Sequence, residues 1–464
     1  MAGERNDVIV VGGGAAGLAA SVALAEDGAK VTLLERKPAV GGRAYSYLHP
    51  ALDEVVDSQH VMVGCCTNLI ELCEQSGIAD QIRWYDKQTF LEPNGRVSTI
   101  ASSRLPAPLH YAPSFLGAGM LSLKDKVALG RGLLEFFRGY PADDNESMEQ
   151  WYRRTGQTER AIKHLWGPVL MATLNDSAAN CSTRYAGKVL HELFVKSASG
   201  GRLGIPTVPL SDLYGGIARR FEALGGVVKL RTSVEGLARG ADGRWSISTA
   251  AEEYRADAVV LALPFEQTAK LLPTMLGVDA GVIQELEAKT ERMVHSPFTS
   301  ILLWYDREIS GLDHAWLLDA TIEWFFHKSR IRRYPAGSGS YVELVIAGSR
   351  AQLGMSREEI LTPALGEFER FFPEARRAKL LKSGILKEAR ATFSVVPGAE
   401  RFRPQQETGL PGLFVAGDWT ATEWPSTMEG AVRSGRLAAG AVVGERLRFM
   451  AKELPASGLM RWLV

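Results

Sequence analysis

The chain has 464 residues, 46% hydrophobic and 23% charged, which gives material for two or three domains with sizeable cores and argues against a disordered tail. Lys+Arg and Asp+Glu number 53 each, so the net charge is zero and the basic field that a nucleic-acid partner requires is missing. Glycine is over-represented, at 47 residues, and the positions of those glycines organise the chain.

At the N-terminus, Glu4, Arg5 and Asp7 occupy the place of a signal peptide's apolar core, and no apolar run is long enough to span a bilayer. Residues 7–11 are a β-branched run that predicts a strand buried on both faces, as in a parallel sheet. Gly12, Gly14 and Gly17, with Ala15 and Ala16 between them, then form GxGxxG ahead of an alanine-rich helix closed by Gly28. A second strand, 30–35, ends in Glu35 and Arg36. The pattern has a mechanism: a tight turn at Gly12, backbone approach to a pyrophosphate at Gly14, and close strand–helix packing at Gly17. The helix N-terminus offers free N–H groups, and Glu35 is placed to accept both ribose hydroxyls. Shortly beyond it comes Gly41-Gly42-Arg43. The cysteines, Cys65, Cys66, Cys73 and Cys181, show neither CxxC nor a disulfide framework, which suits a reduced, cytoplasmic compartment. Eight histidines form no HxH, HExxH or Cys/His cluster, so no metal is expected.

Further along, helical patterns are predicted over 124–139 and 148–174, and strands over 298–305 and 340–347 with a helix over 357–372. Three later pieces return to the nucleotide fold: a strand leading to Val234, the run 256–264, and the run 412–418 that delivers Gly417 and Asp418. A final helix begins near Thr427 and Met428.

The frame from Glu35 to Arg43 resembles the flavoprotein superfamily of amine oxidases, protoporphyrinogen oxidase and carotenoid desaturases. That resemblance implies FAD. Arg43 and the second glycine pair would lie along the pyrophosphate and ribityl chain, the Val234 backbone against the adenine, and Asp418 on the ribityl hydroxyls. The amides after Thr427 would face the flavin N1/O2 edge. The fold class expected is α/β, a Rossmann-like FAD-binding domain in three segments (1–104, 205–290, 384–450). An inserted α+β substrate domain (105–204, 291–383) and a tail (451–464) complete it.

Residues 55–64, 105–109, 165–175, 206–212 and 416–435 together resemble the squalene-associated FAD-dependent family, the hydroxysqualene dehydroxylases. Ser58 stands where that family is associated with a glycine. The resemblance implies reduction of hydroxysqualene to squalene, with the allylic hydroxyl lost as water and hydride taken from reduced FAD, in squalene and hopanoid synthesis. An acid is then needed; His60 is the first candidate, with Gln59 beside it, although a histidine satisfying buried backbone groups fits equally well, and Asp57 is a candidate to orient it, a solvated or capping role fitting at least as well. Trp166, Trp419 and Trp424 are candidate substrate aromatics, with core packing as the alternative. A water-insoluble substrate implies a membrane surface, and residues 109–123 and 447–464 mix apolar side chains with cations as a peripheral contact on the inner face would. No second GxGxxG is apparent, so FAD reduction is expected from an external donor. A carotenoid-type desaturase remains the principal alternative; an amine oxidase and a non-catalytic prenyl-binding escort of the same fold are further ones.

Overall fold

A computed structural model describes residues 6–463; Glu4, Arg5 and Val464 lie outside them. Five parallel strands form the nucleotide sheet, in the order Val227–Leu230, Lys30–Glu35, Asp7–Val11, Ala258–Leu261 and Leu413–Val415. Strands from the start, middle and end of the chain therefore share one sheet, as the three-segment expectation requires. Their apolar runs suit burial on both faces. Helix Ala15–Glu26 packs on this sheet and against helices Leu210–Ala223 and Met428–Val442. Small residues permit the approach: a Cβ on Gly435 would lie 2.0 Å from the Ala16 carbonyl oxygen, and one on Gly17 would lie 1.9 Å from that of Gly12.

A second sheet has seven strands, in the order Leu380–Phe393, His295–Tyr305, Ser340–Ala347, Trp324–Phe326, His314–Leu317, Lys87–Leu91 and Val97–Ala101. It crosses the boundaries drawn from sequence. Residues 87–101, ahead of the break at 104, belong to this sheet, and the break at 384 falls inside a strand paired with His295–Tyr305. Inter-strand hydrogen bonds between distant segments set these limits, and such pairing leaves no local mark in composition. Alternation along the strands splits the sheet into two faces. Phe325, Leu303, Leu344 and Ile346 pack with Ile360, Ala364 and Phe368 of helix Arg357–Phe371. Phe298, Trp324, Phe326, Val345 and Ala347 face the other way.

The first insert is helical, with two corrections. The helix expected over 124–139 runs Leu123–Glu135, opened by a reciprocal cap between Ser122 and Asp125. The pattern over 148–174 is not one helix: Met148–Thr155 stops at Gly156 in the left-handed conformation, and Thr158 caps the next start. That second helix passes through a π-type turn, Ile162–Trp166, before Gly167–Leu174. Pro168 has no N–H to return to the preceding turn, and the widened turn accommodates it.

Candidate active site

A cavity of about 630 Å³ extends from the C-terminal edge of the nucleotide sheet to the Phe298–Trp324 face of the seven-stranded sheet. All residues named from sequence for cofactor binding line it except Gly17, whose place is against Gly12. Gly14 opens onto the cavity: a Cβ there would meet only the Gly42 Cα, at 3.8 Å, and would project into the groove. Helix Ala15–Glu26 begins at Gly14 without a side-chain cap and without an acidic residue in its first turn. Its amides and dipole are thus unopposed, which fits a pyrophosphate. The Glu35 carboxylate is fixed by N–H groups of Gly13 and Lys37, each at 2.7 Å. Arg43 pairs with Asp418, which also accepts a hydrogen bond from Ser426. Burial works against the Arg43 charge, and Asp418 outweighs it. Thr427 caps helix Met428–Val442 by accepting the Gly430 N–H. These residues fit a flavin dinucleotide in three separate contacts, from strand ends and two helix N-termini.

Asp57, Gln59 and His60 also line the cavity, but their partners differ from expectation. Asp57 does not orient His60. Its carboxylate is 1% exposed and held by Lys328 and Arg332, with Ser46 donating at 2.8 Å. Burial opposes the charge there, but the two cations hold the carboxyl well below its usual range. Lys328, itself fully buried, bridges to Glu343 at 2.6 Å. Glu343 in turn accepts the Gln59 N–H at 2.9 Å and a hydrogen bond from Ser300. This network, which no sequence pattern announced, holds the 57–60 segment in place. The Gln59 side chain donates to the His60 carbonyl at 2.8 Å. His60 places Nδ1 2.9 Å from the Ser58 carbonyl; since a carbonyl only accepts, Nδ1 carries hydrogen and Nε2 is a lone pair in the neutral ring. Burial lowers its pKa, so the ring is biased to the neutral form and against the acid role.

The three tryptophans chosen from sequence do not line this cavity. Trp166 sits in the helical insert, edge-on to Trp151 and donating to Gln157 at 2.7 Å. Trp419 donates to the Leu263 carbonyl at 2.8 Å. Trp424 lines a small adjoining cavity of about 80 Å³ and lies under Lys188 and Arg433. The aromatic wall comes instead from Trp316 and Trp324, stacked at 4.1 Å, with Phe326 and Phe298. Register explains the cluster: Trp316 faces Trp324 across one strand pair, and Trp324 faces Val345 across the next. A local signal existed in the run Trp324-Phe325-Phe326, but which of these rings faces the cavity depends on strand register. Glu323 lies at the entry to that strand and also lines the cavity. Among the described residues no cluster of three or more His, Cys, Asp or Glu is placed to hold a metal ion.

Comparison with known proteins supplies the wider setting. The family described as flavin containing amine oxidoreductase matches residues 15–443. A 15-cis-phytoene desaturase of Synechococcus elongatus is 26% identical, covering 95% of this chain and 96% of its own. A chloroplastic/chromoplastic 15-cis-phytoene desaturase of Solanum lycopersicum is 27% identical over 94% of this chain and 77% of its own. Among solved structures, an oxidoreductase from Methanosarcina mazei shares the fold with a TM-score of 0.73, at 17% identity, covering 94% of this chain and 100% of that one.

Proposed function

The chain belongs to the flavin containing amine oxidoreductase family, as an FAD-dependent oxidoreductase, and on that premise we propose that its aromatic chamber holds a long linear isoprenoid for a redox step beside the flavin. The observation that carries this reading is the continuity of one cavity from the Gly14–Glu35 cradle to the Trp316–Trp324–Phe326 wall. Bound FAD supplies the hydride acceptor or donor. The chain's own residues exclude water, present ring faces to a developing allylic cation, and fix the 57–60 segment through Glu343 and Lys328.

Two directions are distinguished. The relatives named 15-cis-phytoene desaturase support oxidation of a polyene hydrocarbon, and the comparisons favour this one. The opposite direction, reduction of hydroxysqualene to squalene, is supported by the resemblance in residues 55–64 and 165–175 and by a carboxyl without a counter-cation in the chamber wall, Glu323. Anaerobic incubation of reduced enzyme with hydroxysqualene, and of oxidised enzyme with phytoene, tests both. Dehydrogenated phytoene supports the first, squalene supports the second, and turnover of neither overturns the isoprenoid proposal. An external donor or acceptor completes either cycle.

Access from a membrane surface belongs to the same proposal. Among the described residues no helix is long and apolar enough to cross a membrane. The tail is tied down just ahead of the first stretch: Leu459 N–H donates to the carbonyl of Ala107 at 2.9 Å, and Met460 is buried beside Ala107 and Val195. Tyr111, Met120 and Leu121 are buried as well, so they are removed from the expected lipid contact. Leu109, Leu116, Leu123, Leu459 and Trp462 remain exposed, Trp462 at 87%. Apolar side chains among Lys124, Lys126 and Arg461 suit an anionic bilayer surface.

A further inference from the structure

We propose that Glu323 is the acid that protonates the departing hydroxyl of an allylic isoprenoid alcohol held against the Trp316–Trp324–Phe326 wall. The inference rests on the isoprenoid redox reading above, in its reductive direction.

The position is unusual within this molecule. Several buried carboxylates carry a cation: Asp57 has Lys328 and Arg332, Asp176 has Arg350, Asp418 has Arg43, and Glu429 has Arg433, while Glu35 and Asp125 are held by several N–H or hydroxyl donors each. Glu323 has no cation among the described residues. Its side chain makes a single hydrogen bond, Oε2 accepting the Ala347 N–H at 2.6 Å, and its own N–H is tied to the Val345 carbonyl at 2.9 Å. The carboxyl is therefore anchored between two strands at the edge of the aromatic wall and lines the cavity, and its Oε1 makes no hydrogen bond among the described residues. The charged group facing it is Glu367 of helix Arg357–Phe371, held by the N–H groups of Thr321 and Ile322 at 2.9 and 3.0 Å and lying 3.5 Å from Arg370. Burial pushes Glu323 up to about 8; the Ala347 N–H pulls it down, and Glu367 adds to the rise. At neutral pH the group is thus a carboxylic acid, as a general acid must be.

In the proposed step the Glu323 proton passes to the substrate oxygen, and the C–O bond breaks with its electron pair leaving on water. The allylic cation remains at carbon, facing the tryptophan rings. Bound FAD in its reduced form would supply the hydride for that carbon, so that the substrate would gain two electrons and the cofactor would lose two. Glu323 ends as a carboxylate and regains its proton from solvent, while an external donor reduces the flavin again.

The test pairs turnover with a readout that needs none. Glu323→Gln keeps the shape and can still accept the Ala347 N–H, but has no acidic proton. With FAD content verified by absorbance, squalene formation from hydroxysqualene is expected to fall by about 100-fold or more, with partial recovery in Glu323→Asp. Independently, infrared titration of the resting wild-type protein should show a neutral-carboxylic-acid carbonyl band that bleaches as pH rises through about 8 and is missing from Glu323→Gln. Wild-type turnover in a fully loaded Glu323→Gln, or absence of the band, overturns the assignment while the redox reading stands. Failure of the wild type itself to form squalene overturns the reductive direction and this assignment with it.

Discussion

At the nucleotide wall the cavity meets backbone: glycines, helix-terminal amides and a carboxylate fixed by two N–H groups. At the chamber wall it meets side chains: stacked tryptophans, phenylalanines and a carboxyl with no cation. Much of the first wall tolerates no added atom: a Cβ on Gly12 would lie 2.4 Å from the Ala262 carbonyl oxygen and one on Gly41 2.3 Å from that of Ala44, while Gly17 behind the wall is as tightly placed. The second is a surface of exchangeable rings, where volume and polarity set which ligand fits. Cofactor identity therefore resides in the wall that cannot vary, and substrate identity in the wall that can.

The largest expected effect breaks the rigid wall. Gly17→Val forces the strand and helix apart, and the product should be colourless and largely insoluble; a soluble yellow Gly17→Val protein would show that this approach is not needed for FAD. Next is the network behind the 57–60 segment. Lys328→Met leaves Asp57 with Arg332 alone and Glu343 buried with no cation, and should cost roughly 3–5 kcal/mol in urea unfolding. Adding Glu343→Gln should recover part of that loss.

The carboxyl of the chamber wall gives a pH signature. Its folded value, about 8, lies above its ordinary 4.5, so its contribution to stability is complete below the unfolded value and is lost as pH rises through about 8. Wild type should therefore lose stability relative to Glu323→Gln between about pH 5 and pH 8, by at most about 1.4 kcal/mol per pH unit; parallel curves would contradict the shift. A milder change sharpens the contrast of walls. Trp324→Leu should cost roughly 1–2 kcal/mol and weaken binding of a linear isoprenoid, followed by Trp fluorescence, while FAD content stays at the wild-type level. Smallest is deletion of 455–464, expected to reduce flotation with anionic liposomes without changing turnover of detergent-dispersed substrate. Unchanged flotation would remove the tail from the membrane contact.

The nucleotide wall was legible because its signals are local and in register. Gly12, Gly14 and Gly17 follow a strand and open a helix, and Glu35 ends the next strand, so each residue's place follows from its neighbours in the chain. The chamber was not. Trp166, Trp419 and Trp424 were chosen because aromatics suit a cation, yet their indoles serve packing and backbone carbonyls elsewhere. Lys328 follows a short aromatic strand and nothing in its neighbours marks it; only the arrival of Asp57 and Glu343 from distant segments explains its complete burial.

By itself the sequence determined the α/β class, the three-segment nucleotide fold and FAD as the cofactor, since phosphate-binding backbone geometry demands glycine at fixed spacing. The tertiary structure decided that the strands of residues 87–101 and 380–393 join the seven-stranded sheet, which rings face the cavity, and that Glu323 meets one N–H and no cation. Those outcomes depend on strand register and on partners far apart in the chain, and a side chain's charge state follows from the partners it meets after folding.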